Sequence, residues 1–130
     1  MLRKFFSSLF AGGTHEEAPP APIRPLSDRD ELDQALLAPI AVLYKYSPIC
    51  SVSAWIGREV GRFASDHPDT PVYAIDVIRQ RDLSNWIADE FGVRHESPQA
   101  FVVRNGRPTW NASHSGITAD ALHQQVQQAD

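Results

Sequence analysis

The hydrophobic pattern of this chain changes period several times, and each change marks an element. Ile40-Ala41-Val42-Leu43-Tyr44 is an uninterrupted apolar run, which predicts a strand buried on both faces. Before it, Leu32, Leu36 and Leu37 form the inner face of a helix that Ser27 caps, with Asp28 and Asp30 in its first turn and Pro39 at its end. After it, Ile56, Val60, Phe63 and Ala64 recur at spacings of three and four. They predict a second helix running to about Asp66 and stopped by His67-Pro68-Asp69. Val72 to Val77 reads as a short strand, and Leu83, Trp86, Ile87, Glu90 and Phe91 trace a helix closed by Gly92. Gln99 to Arg104 and Pro108 to Ala112 are strand-like and flank Asn105-Gly106, a pair suited to a tight turn with positive φ. Thr118 caps a last helix through Leu122 and Val126.

The resulting order is helix, strand, helix, strand, helix, strand, strand, helix. Strands joined through a helix run parallel, and the terminal hairpin is antiparallel. The expected fold is therefore α/β, a four-stranded mixed sheet flanked by helices in the thioredoxin-like arrangement. A chain of 130 residues can bury such a core without staples. The expected domain is 26–130. Residues 1–25 read as a flexible segment and linker, because Gly12 to Pro25 lacks apolar periodicity and holds Pro19, Pro20, Pro22 and Pro25. The first ten residues place Arg3 and Lys4 before Phe5, Phe6, Leu9 and Phe10. That stretch is too brief for a bilayer span, so no stable membrane insertion is expected, and it has no small-x-small site suited to a secretory signal.

A formal net charge of -4 argues against a generic nucleic-acid binder, which needs a basic face. The single cysteine, Cys50, excludes an intramolecular disulfide and any zinc site built on paired cysteines. His15, His67 and His123 share no ligand spacing, so no metal site is expected. Such cysteine usage fits a reducing compartment, and a cytoplasmic protein is expected.

Cys50 carries the chemistry. It stands between the apolar strand and the second helix, where unpaired N–H groups and the helix dipole favour thiolate over thiol. Its pKa is expected below the ordinary value of roughly 8.5. Lys45 is expected to add positive potential. Ser53, three residues on, can hydrogen-bond a thiolate but cannot attack a mixed disulfide, so a thiol from elsewhere must resolve it. Ser97-Pro98 directly precedes a strand, where a proline often marks a cis bond, and a cis bond is expected. Lys45, Ser47, Ser53, Ser97 and Pro98 are the expected substrate-binding residues around the catalytic Cys50. His95 and His114 read either as neighbours of the thiol or as surface and capping residues. Trp55, Trp86 and Trp110 read as core or groove-lining residues.

The segment Lys45-Tyr46-Ser47-Pro48-Ile49-Cys50-Ser51-Val52-Ser53 resembles the active-site motif of the monothiol bacilliredoxins, thioredoxin-like proteins of bacteria that use bacillithiol. So do Ala74 to Ile78 with Asp82 to Asn85, Phe91 to Gln99, and Ala112 to His114 with Ile117-Thr118. Tyr46 stands where the family usually has histidine. The resemblance implies removal or exchange of bacillithiol on protein mixed disulfides through Cys50. Bacillithiol would be a co-substrate, with no tightly bound cofactor. The expected partners are bacillithiolated proteins and a low-molecular-weight thiol, met by a monomer.

Two other readings compete. In one, the fold is a protein-binding module and the cysteine is incidental. In the other, the cysteine-x-x-serine site bridges an iron–sulfur cluster between two subunits, although the glycine-phenylalanine core of that motif is missing here.

Overall fold

The computed structural model describes residues 22–128, so the expectations for residues 1–21 lie outside the described residues. The elements run β1 Arg24–Pro25, α1 Arg29–Ala35, β2 Ile40–Tyr46, α2 Ser51–Asp66, β3 Val72–Asp76, α3 Arg81–Phe91, β4 Gln99–Arg104, β5 Arg107–Ser113 and α4 Ala119–Gln127. A 3-10 turn, His114–Gly116, joins β5 to α4.

The sheet order is β1-β3-β2-β4-β5, with β1, β3 and β2 parallel and β4 and β5 antiparallel to their neighbours. The class is the expected one, with five strands among the described residues in place of four. The extra strand is β1, whose Arg24 and Pro25 fall in the stretch that the sequence pattern reads as linker. Two residues carry no periodicity, and proline, lacking an N–H, is tolerated on an edge strand. Ile23 is buried in the core and the Leu26 N–H donates to Ala74 O at 2.9 Å, so the packed domain starts before Leu26.

Alternation along the central strands divides the core into two layers. Val42 and Tyr44 of β2 face Ile56, Val60 and Phe63 of α2 and Leu122 of α4. Leu43 faces Leu32 of α1 with Leu83 and Ile87 of α3. The two faces of β2 are therefore both covered, as its unbroken apolar run requires.

Helix ends fix the geometry locally. Asp28, rather than Ser27, caps α1: its carboxylate accepts from the Glu31 N–H at 2.8 Å, while the Ser27 N–H donates to Glu31 Oε1 at 2.6 Å. Gly92 ends α3 with φ 66°, a left-handed conformation that costs glycine nothing. Thr118 caps α4 by accepting from the Ala121 N–H. Asn105 and Gly106 turn the β4–β5 hairpin with φ 52° and 81°.

Candidate active site

The C-terminal end of β2 delivers the thiol. Four residues, Ser47 to Cys50, carry the chain from the strand into α2, and Cys50 is the N-cap of that helix with extended backbone. Its N–H donates to Ser47 O at 3.2 Å and its carbonyl accepts from the Ala54 N–H at 3.1 Å. The side chain makes no cap bond, so the sulfur stays partly exposed over the first turn of a 16-residue helix. The Ser53 backbone N–H holds the thiol below its ordinary pKa, with the Val52 N–H and the Ser53 hydroxyl assisting against partial burial.

Ser53 is the most heavily used residue of the site. It is buried, and its Oγ accepts from the Ser47 N–H at 3.0 Å, which leaves the hydroxyl proton for the sulfur. Its carbonyl accepts the Tyr44 phenol proton at 2.6 Å. Tyr44 is a functional residue that reading the sequence missed, because in an apolar run its hydroxyl gave no separate signal. Burial raises its phenol pKa, and the nearby Cys50 charge and Tyr46 raise it further. Tyr46 stacks on Tyr44 with ring centroids 6.0 Å apart.

The Ser97–Pro98 bond is cis, as expected. Lys45 pairs with Gln99, so one further step in that antiparallel register brings Pro98 beside Tyr46, at the strand end that leads to Cys50. Pro98 is buried, and its carbonyl accepts from the His114 N–H at 3.1 Å. His114 thus acts here through its backbone. The Ser97 hydroxyl oxygen is buried without a hydrogen-bond partner among the described residues.

Lys45 departs from expectation. Successive strand residues point to opposite faces, and Lys45 is one residue out of phase with Tyr44 and Tyr46. It lies on the α1 and α3 face, fully buried, with Nζ donating to Ser84 O at 2.9 Å and lying 3.3 Å from His95 Nδ1. It therefore neither lines the thiol nor meets a substrate directly. Burial lowers its pKa from 10.5 to about 8. The His95 pKa is lowered too, by burial first and then by the Lys45 charge.

Exposed apolar side chains stand on the segments next to the cysteine. Ile49, Val52 and Trp55 are exposed on the loop and first turns of α2. Ile78, also exposed, follows Val77, whose N–H donates to Tyr46 O at 2.9 Å. Of the other tryptophans, Trp86 lies 3.3 Å beneath the Arg29 guanidinium and Trp110 packs on the core. Among the described residues no cluster of three or more His, Cys, Asp or Glu side chains is placed to hold a metal ion, and no helix is long and apolar enough to cross a membrane.

Residues 24–122 match the family described as monothiol bacilliredoxin BrxC. The chain belongs to that family. Among solved structures, a candidate oxidoreductase with a thioredoxin fold is 33% identical to this bacilliredoxin, with a TM-score of 0.77, covering 81% of this chain and 94% of the other. A mutant thioredoxin from Halobacterium salinarum NRC-1 is 22% identical at TM-score 0.66, covering 85% of this chain and 93% of its own. Mitochondrial thioredoxin 3 from Saccharomyces cerevisiae is 18% identical at TM-score 0.64, covering 81% and 93%. These last two share the fold.

Family and fold make the bacilliredoxin a thiol oxidoreductase. The chemistry its site can perform follows from its parts. A partly exposed thiol whose pKa helix N–H groups lower is favoured as thiolate, and the chain contains no second cysteine to compete for the bond it forms.

Proposed function

We propose that this bacilliredoxin takes bacillithiol from protein mixed disulfides. The Cys50 thiolate attacks the bacillithiol sulfur, a new sulfur–sulfur bond forms as the old one breaks, and the protein thiolate leaves and takes a proton. Cys50 then carries the bacillithiol. A free low-molecular-weight thiol or another redoxin attacks that disulfide and returns Cys50 to the thiolate, so no net oxidant is needed. Bacillithiol acts as co-substrate to a monomer in the cytoplasm, with no tightly bound cofactor.

The observation that supports this reading is the placement of Cys50. The Ser53 and Val52 N–H groups and the Ser53 hydroxyl lower its pKa, and the residue where a dithiol enzyme would keep its resolving thiol is that serine. A serine there leaves the mixed disulfide standing until an outside thiol arrives. Ser97 and Pro98, one strand away, are the residues we assign to the substrate chain, with Ser47 and Ser53 framing the sulfur.

Mass spectrometry after incubation with oxidised bacillithiol tests the proposal, beside a Cys50→Ser control and a parallel sample with oxidised glutathione. A single fast adduct on Cys50, reversed by reduced bacillithiol and slower with glutathione, is the expected result. A folded protein that forms no adduct is a binding module instead.

A further inference from the structure

A buried ammonium is costly unless its hydrogen bonds accomplish something. Those of Lys45 go to the Ser84 carbonyl and to His95 Nδ1. An ammonium has only protons to offer, so the ring nitrogen that faces it must present a lone pair, and the ring proton of His95 sits on Nε2. Ser84 Oγ lies 3.3 Å from the same Nδ1.

His95 belongs to the stretch 93–98, which joins α3 to β4 without helix or strand and ends on Ser97 and Pro98. The register partner of Lys45 grips the same stretch. Buried Gln99 donates from Nε2 to Arg94 O at 2.9 Å and accepts at Oε1 from the Glu96 N–H at 3.4 Å. Two paired residues of the sheet thus hold three consecutive residues, Arg94, His95 and Glu96, immediately before the pair that flanks the thiol.

We propose that Lys45 is a positioning residue of the exchange reaction: acting through His95, it fixes residues 94–96 and thereby the placement of Ser97 and Pro98 against the protein whose mixed disulfide Cys50 attacks. This rests on the oxidoreductase reading of Cys50. A polypeptide mixed disulfide needs that surface to be in place. A small symmetrical disulfide needs only the sulfur.

The test uses the full chain with two probes, a bacillithiolated cysteine peptide and free oxidised bacillithiol. The variants are Lys45→Met, His95→Ala and His95→Asn, the last keeping an acceptor oxygen where Nδ1 stands. For Lys45→Met and His95→Ala, kcat/KM with the peptide should fall by about tenfold, mostly through KM, while the rate with oxidised bacillithiol stays within about twofold. His95→Asn should recover most of the peptide rate. Equal losses with both probes, or unchanged peptide kinetics, overturn the proposal. If Lys45→Met does not fold, the two His95 variants decide it alone. A wild-type protein inert to both probes would instead overturn the reading of Cys50 on which the proposal rests.

Discussion

The Tyr44 phenol donates to the Ser53 carbonyl across 2.6 Å, fastening the central strand to the first turn of the helix that carries the thiol. Ser53 is then occupied on every side. Its carbonyl holds Tyr44, its Oγ holds the Ser47 N–H, and its N–H and hydroxyl lower the pKa of Cys50. Strand, turn and nucleophile are tied together at one residue. The serine at this position is therefore a structural part of the site as well as the absence of a second thiol.

Tyr44→Phe keeps the ring packed between β2 and α2 and removes only the hydrogen bond. Stability should fall by about 1–2 kcal/mol, the cost of a buried hydrogen bond lost on one side. Urea denaturation would show this as a lower midpoint with an unchanged slope.

Ser53→Ala deletes the hydroxyl donor to the sulfur while leaving the backbone N–H groups of Val52 and Ser53 in place. The Cys50 pKa should move upward, toward its ordinary value but short of it, because the Ser53 backbone N–H is the larger cause of the lowering. Alkylation by iodoacetamide, followed against pH, should shift to higher pH, with a several-fold lower rate at pH about 6 and little change on the alkaline plateau. Loss of the acceptor for the Ser47 N–H should also cost about 1 kcal/mol of stability.

Ser53→Cys places a thiol one helical turn from Cys50, at the side chain whose hydroxyl helps lower the Cys50 pKa. After reaction with oxidised bacillithiol, the introduced thiol should attack the mixed disulfide at Cys50, expel bacillithiol and close an internal disulfide. Mass spectrometry should then find the protein two hydrogens lighter and free of adduct. A persistent adduct would mean that the helix holds the two sulfurs apart.

Much of this was legible because the signals were strong and local. The spacing of Ile56, Val60, Phe63 and Ala64 marked α2 to its last residue, and Asn105-Gly106 marked the hairpin because few residues accept positive φ. The thiol at the strand-to-helix junction was equally plain. What was hidden depended on pairing or parity. The strand Arg24–Pro25 exists only through its pairing with β3. Ser27 and Asp28 are both good caps, and the choice falls to the one whose side chain reaches the Glu31 N–H. The face of Lys45 was available from alternation with Tyr44. Its partners were not, since Ser84 and His95 are 39 and 50 residues away.

Lys45 also gives stability a pH dependence with a definite sign. Its folded pKa of about 8 lies below the ordinary 10.5, so the folded state releases this proton before the unfolded state does. Below about pH 8 the ammonium is present in both states and the folded state bears the full cost of burying it. Between about 8 and 10.5 the unfolded chain binds more protons than the folded one, and stability rises with pH. The total is roughly 3 kcal/mol, reached only above the ordinary pKa. Other groups titrate over the same range, so the comparison is with Lys45→Met, which fills similar space without charge. At pH 7 the variant should be at least as stable as the wild type, by up to roughly 3 kcal/mol less the hydrogen bonds it gives up. The difference should shrink steadily from pH 8 to 10.5 in paired urea titrations. A constant difference across that range would mean that the ammonium keeps its ordinary pKa in the fold, and that access to water has cancelled the cost of its burial.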